Sequence, residues 1–255
     1  MFAPAHLRVA HRDRAILGGS LVAIALVAWL VLWFWNGSPY GPYLHHDSAD
    51  AGVPVALAAA AFTVGWTLMI IAMMLPSSVP LVVTFGALVG RRRQPAVLVT
   101  LLLLGYLVVW AGFGFVAWTA DRLVHAAVES LPWLADHPQL IIGATFLAAG
   151  LWQFSPLRDR CLDECRSPLG FVMNRWRGTS ERREALLMGI AHGAFCVGCC
   201  WSLMLVMFGV GISSLSAMLV LGGLTAVEKN LPQGRRLTRP LGVVLVLAAV
   251  YAVAA

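Results

Sequence analysis

Long apolar runs separated by short polar segments set the plan of this chain. Near-continuous aliphatic stretches occupy 15–35, 54–75, 96–120, 139–156, 184–208, 212–227 and 239–254, and the second continues past two prolines to about residue 90. Each is near the roughly 20 residues that a helix needs to cross a hydrocarbon layer. The pattern predicts an all-α fold, a polytopic transmembrane helical bundle of about seven spans. Segment 121–138, with Leu123, Val124, Ala127, Val128, Leu131 and Trp133, reads as a short amphipathic helix lying in the outer interface.

The polar segments alternate in charge. Arg8, Arg12 and Arg14 precede the first run; 36–52 carries Asp47 and Asp50 but no lysine or arginine; Arg91, Arg92 and Arg93 follow the second run. Segment 121–138 holds one arginine, whereas Arg158, Arg160, Arg166, Arg175, Arg177, Arg182 and Arg183 crowd the connection between the fourth and fifth runs. Lys229, Arg235 and Arg236 lie between the last two. Bases concentrate on the cytoplasmic side of membrane proteins, so the N-terminus is expected inside and the C-terminus outside. The first run imitates a signal peptide but exceeds a typical apolar core in length, and is expected to stay as an anchor helix. One integral membrane domain, 1–255, is expected: anchor helix and outer loop over 1–53, a motif-bearing core over 54–232, and a C-terminal helix over 233–255.

Composition agrees with this plan. The chain has 255 residues, 60% of them hydrophobic and 12% charged, with a mean hydropathy of +0.80. A net charge of +6 and a pI near 9.5 would suggest nucleic acid in a soluble protein, but here topology accounts for the bases, and no nucleic-acid function is read from them.

Candidate chemistry gathers in the fifth run. His192, Cys196, Cys199 and Cys200 fall on about a third of a helix turning ~100° per residue, and Met188 and Met207 extend the stripe. Thiolate and imidazole suit copper and zinc; thioethers from Met69, Met73, Met188 or Met204 favour Cu(I), with Zn(II) as the alternative. The other reading is that these thiols are small packing residues beside Gly189, Gly193 and Gly198. None of the five cysteines falls in an expected outer loop, which argues against a secreted-type disulfide framework. Cys161 and Cys165, one helical turn apart among arginines, are either a cytoplasmic hand-over pair or ordinary loop cysteines. Glu228 is either a ligand or an interfacial charge beside Lys229. His45, His46 and Asp47 could form an outer metal-collecting patch.

The second run has its own irregularity. Met69, Met73 and Pro76 share a face, and Pro76 and Pro80 interrupt the backbone hydrogen bonds, so freed carbonyls need cover. Trp66-Thr67-Leu68-Met69 echoes Trp201-Ser202-Leu203-Met204, which admits an inverted-repeat reading of spans two to four against five to seven. Depth is ambiguous: counted from residue 55, Met69 sits in the inner half, and counted back from Arg91 it sits near the outer surface, level with the cysteines.

Taken together, Trp66-x2-Met69-x2-Ala72-Met73-Met74-x-Pro76-x3-Pro80, Phe154-Ser155-Pro156-Leu157 with Cys161 and Cys165-Arg166-x-Pro168, Gly193-x2-Cys196-x-Gly198-Cys199-Cys200-Trp201-x-Leu203-Met204 and Glu228-Lys229 resemble the bacterial family of predicted metal-binding integral membrane proteins, catalogued as a domain of unknown function. The resemblance covers about 55–232 and implies an inner-membrane protein with a metal site at those Met, Cys and Glu positions. The expected function is copper handling for delivery, transport or homeostasis, with lipid around the protein and a metalloenzyme or metallochaperone as partner. The alternative is an accessory or assembly subunit of a membrane metalloenzyme or redox complex. No nucleophile with its base and no nucleotide-binding loop is visible to suggest an enzyme.

Overall fold

The computed structural model describes residues 5–38, 54–210 and 214–254. The expected patch at His45, His46 and Asp47 lies outside the described residues. The fold is an all-α bundle, with no strand among the described residues. Its helices are α1 (Ala5–Asn36), α2 (Val55–Met73), α3 (Leu75–Val89), α4 (Pro95–Ser130), α5 (Pro132–Ala135), α6 (Pro138–Trp152), α7 (Pro156–Arg166), α8 (Pro168–Arg175), α9 (Glu181–Val210), α10 (Leu215–Asn230) and α11 (Thr238–Ala254). A 3-10 turn over Gly234–Leu237 joins the last two.

Five of these helical segments are long and apolar enough to cross a membrane, or six if the bent pair α6–α7 counts as one span. Seven were expected. The difference lies in α6 and α10: α6 has 15 residues and α10 has 16, about 22 and 24 Å at 1.5 Å per residue. Of the expected amphipathic stretch 121–138, residues 121–130 instead continue α4, which has 36 residues, and Pro132–Ala135 form the short α5.

Proline writes several of the helix starts. Pro76, Pro95, Pro132, Pro138, Pro156 and Pro168 all sit in the first turn of their helices, where the missing N–H has no intrahelical partner to lose and the fixed φ already suits a helix. Pro76 does more, because it removes the donor that the Ala72 carbonyl would otherwise bond. α2 therefore stops at Met73, and the freed carbonyl accepts the indole N–H of Trp29 on α1 at 3.1 Å. The cover demanded by the proline break thus comes from a tryptophan on a neighbouring helix.

α1 packs along both α2 and α3, and α4 packs along α9. α4 and α9 approach closely through glycines: a Cβ on Gly189 would run into the Leu102 backbone, and one on Gly105 into that of Leu186 and Ile190. α6 and α11 form a second close pair, with Gly150 against Gly242 and Val246. Two apolar cores result. One joins α3, α8 and the first halves of α4 and α9, with Val82, Phe85, Leu98, Leu102 and Phe171. The other joins α2, α10 and the second halves of α4 and α9, with Trp66, Trp110, Met204 and Met207. The outward faces remain apolar too, as Leu26, Leu30, Val108, Val116, Leu247 and Val250 are exposed.

Replacing Trp29 by Phe leaves the Ala72 carbonyl buried without a donor, which costs about 1–3 kcal/mol. Thermal unfolding of the detergent-solubilised protein is expected to register that loss, while Trp33→Phe, at an exposed position of the same helix, leaves stability unchanged.

Candidate metal centre

The chain turns sharply after α6, and that turn builds the site. α6 and α7 meet at 65° around Gln153, Phe154 and Ser155, with the Ser155 hydroxyl accepting the Leu157 N–H to start α7. At the bend the Trp152 indole donates to the Gly198 carbonyl at 3.0 Å and the Gln153 amide to the Ser202 hydroxyl at 3.4 Å. α7 is thereby laid back along α9. Gly198 gives it room, since a Cβ there would sit 2.6 Å from the Cys161 sulfur. The cysteine pair expected in a cytoplasmic loop is therefore helical and packed on α9, with Cys161 buried and Cys165 half-buried.

Four thiols come together as a result. Cys165 of α7 stands beside Cys199 of α9, and Cys199 stands beside Cys196 and Cys200. The thiols of Cys199 and Cys200 also donate to the Cys196 carbonyl at 3.1 and 2.9 Å. All five cysteines are free. Opposite them, the Met74 sulfur at the α2–α3 break lies 3.9 Å from the Cys200 sulfur.

A lysine closes the cluster. The Lys229 ammonium donates to the Cys196 sulfur at 2.9 Å and to the Ser77 hydroxyl at 3.4 Å, and the residue is only 5% exposed. The Tyr106 hydroxyl reaches the same sulfur at 3.3 Å. One helical turn earlier, His192 is buried against Tyr106 and Phe171, with ring centroids 5.5 and 5.6 Å away. Its Nε2 meets the Ser78 hydroxyl at 3.1 Å, and its Nδ1 has no hydrogen-bond partner among the described residues.

Lys229 is held there by its neighbour. The Glu228 carboxylate accepts from the Arg158 guanidinium at 2.7 Å and from the Thr238 hydroxyl at 3.1 Å, and Arg158 also donates to Thr238 at 2.9 Å. Arg158 is fully buried and Glu228 nearly so. Arg166, at the end of α7, donates to the carbonyls of Glu228, Leu231 and Pro232. α7 is thus clamped to the end of α10 and the start of α11.

The sequence-based candidates divide accordingly. Cys165, Cys196, Cys199 and Cys200 meet; Cys161 lies beside them against Gly198; His192 sits one turn away. Met69, Met73 and Met204 are buried in the same core, with Met73 against Gly222 of α10. Met74, at the α2–α3 break, is the thioether that meets a thiol directly. Trp66 packs against Phe208, centroids 6.0 Å apart, so Met69 lies between that level and the Met74–Cys200 level. Glu228 has both oxygens engaged. Lys229, Tyr106 and Arg158 are the site residues that sequence reasoning passed over, whereas Met74 entered only as part of the family motif. Among the described residues no three His, Cys, Asp or Glu side chains are arranged to hold an ion as they stand. The arrangement instead offers soft atoms in pairs, thiol with thiol and thiol with thioether, a donor set for soft metal ions rather than hard ones.

Breaking the Arg158–Glu228 pair from one side leaves a buried charge uncompensated, at a cost of about 3–5 kcal/mol. Glu228→Leu is expected to lower the unfolding midpoint in detergent by far more than the double variant Arg158→Met/Glu228→Leu, which removes both charges. A double-mutant cycle measures the difference.

A family model described as PpoB2, copper chaperone, matches residues 63–252. No curated protein and no solved structure matches the chain. The matched stretch is about three quarters of the chain and contains every thiol, Met74, His192, Lys229 and the Arg158–Glu228 clamp. By that match the chain belongs to the PpoB2 copper chaperone family.

Proposed function

We propose that this protein is a membrane-embedded Cu(I) carrier that receives the ion on the buried thiols of α7 and α9 and passes it to a metalloenzyme or metallochaperone partner. The observation that carries this reading is the meeting of Cys165 with Cys196, Cys199 and Cys200 beside the Met74 sulfur, in a chain of the copper chaperone family. Hard cations prefer oxygen ligands, whereas thiolate and thioether select Cu(I). Seats of two sulfurs favour Cu(I) over zinc, which takes four ligands in structural sites.

Carriage needs exchange as well as affinity. Cys199 is shared between Cys165 on one helix and Cys196 and Cys200 on another, so an ion bound at one pair has another thiol alongside. Transfer then runs by ligand substitution: a new sulfur–copper bond forms as an old one breaks, and the ion stays Cu(I) throughout. Each thiol that binds gives up its proton. Cys161 and Cys165 on α7 serve as the approach to the three α9 cysteines.

The apolar outward faces and the five long apolar helices support placement in the bacterial inner membrane, with the arginine-rich segments facing the cytoplasm. In that frame the cluster stands on the α9 stretch between Cys196 and Cys200, about 22 Å from Glu181 to Cys196 at 1.5 Å per residue, and is shielded from bulk water.

Protein purified without a metal-affinity tag from copper-supplemented cells is expected to retain copper, as measured by elemental analysis. The Cys196→Ser/Cys199→Ser/Cys200→Ser variant is expected to retain almost none. Equal copper content in the two proteins would refute the assignment.

A further inference from the structure

The feature that copper carriage alone does not explain is a lysine without a carboxylate. Lys229 is buried, and among the described residues its ammonium has no carboxylate partner. Glu228, next to it, is taken by Arg158 and Thr238. What faces the ammonium is sulfur and hydroxyl: Cys196 at 2.9 Å and Ser77 at 3.4 Å. An ammonium taken out of water is costly unless an opposite charge meets it, and the groups able to supply that charge here are the thiolates.

We propose that Lys229 is the specificity-determining residue of the thiol cluster, a fixed positive charge that leaves a two-thiolate seat neutral only when the bound ion carries a single positive charge. The inference rests on the copper-carrier reading and adds the basis of selection to it. Two thiolates and the ammonium together carry one net negative charge. Cu(I) cancels it, whereas a divalent ion leaves a net positive charge in a region from which water is excluded, where an unbalanced charge is expensive. A third ligand anion would reverse the preference. A further thiol lies alongside each pair, but among the described residues no three His, Cys, Asp or Glu side chains are arranged to hold one ion together, His192 is a neutral ligand at most, and Glu228 is committed to Arg158. The clamp formed by Arg158, Thr238 and Arg166 fixes the end of α10 and so fixes where the ammonium stands.

The test separates charge from softness with two soft ions, Ag(I) and Cd(II). Full-length protein in detergent is titrated with each ion by calorimetry, and retention after gel filtration is read by elemental analysis. Wild type is expected to hold Ag(I) and to reject Cd(II). Lys229→Leu is expected to weaken Ag(I) binding 10- to 100-fold, in the range seen for groups that support metal ligands from outside, and to gain Cd(II) binding. Lys229→Arg, which keeps the charge, is expected to restore the preference for Ag(I). A loss of Ag(I) binding with no gain of Cd(II), or no change in either, would overturn the inference and leave the carrier reading intact. A wild type that holds neither Cu(I) nor Ag(I) overturns the carrier reading and this inference with it. Should Lys229→Leu fail to give a monodisperse peak, Lys229→Gln takes its place, and wild type still decides: Cd(II) held as tightly as Ag(I) contradicts the proposal.

Discussion

A guanidinium and a carboxylate, both out of contact with solvent, hold the candidate site together. Arg158 of α7 and Glu228 of α10 meet at 2.7 Å, and Thr238 at the start of α11 bonds to both. α7 and the α10–α11 corner, 70 residues apart between Arg158 and Glu228, are thereby tied at one point. A buried pair of this kind is weak as a source of stability but severe in what it forbids, because neither charge tolerates the loss of the other. Once α7 and α10 are fixed, Cys165 is fixed against Cys199 from one side and Lys229 against Cys196 from the other. The metal chemistry proposed here depends on that constraint, although Arg158 is itself a cation and Glu228 has both oxygens engaged.

The helices were legible in the sequence because apolar runs and proline punctuation act locally. The stripe from His192 to Met204 was legible for the same reason: a single helix fixes which of its own residues share a face. What was not legible is how helices lie against one another. The pair Cys161 and Cys165 reads as a charged cytoplasmic segment, since Arg158, Asp159, Arg160, Asp163, Glu164 and Arg166 surround it. Only the 65° bend after Trp152 and the absence of a side chain at Gly198 lay that helix on the cysteine face of α9. The signal available in advance was Phe154-Ser155-Pro156, a helix-starting proline shortly after the apolar run that ends in Trp152.

Lys229 was missed for a different reason. A Glu-Lys pair at the end of an apolar run is ordinarily interfacial, and composition cannot distinguish an ammonium in water from one against a thiol. The pattern in α2 has the opposite lesson. Met69, Met73 and Pro76 were grouped by helical spacing, but Pro76 ends the helix, and the broken geometry turns Met74 toward Cys200. Helical periodicity stops at Met73, and beyond that residue it no longer says which side chains share a face. The two expected registers for α2 resolve between their extremes, with Trp66 against Phe208 and Met74 against Cys200.

The central claim is that copper travels on sulfur drawn from α7, α9 and the α2–α3 break. Copper-edge X-ray absorption on the Cu(I)-loaded full chain tests it most directly, because it reports the atoms bound to the ion and their number. The account predicts a sphere of sulfur alone at low coordination number, with the sulfur contribution abolished when Cys196, Cys199 and Cys200 are changed to serine. A sphere dominated by nitrogen or oxygen, or a sulfur signal that survives those substitutions, would contradict it.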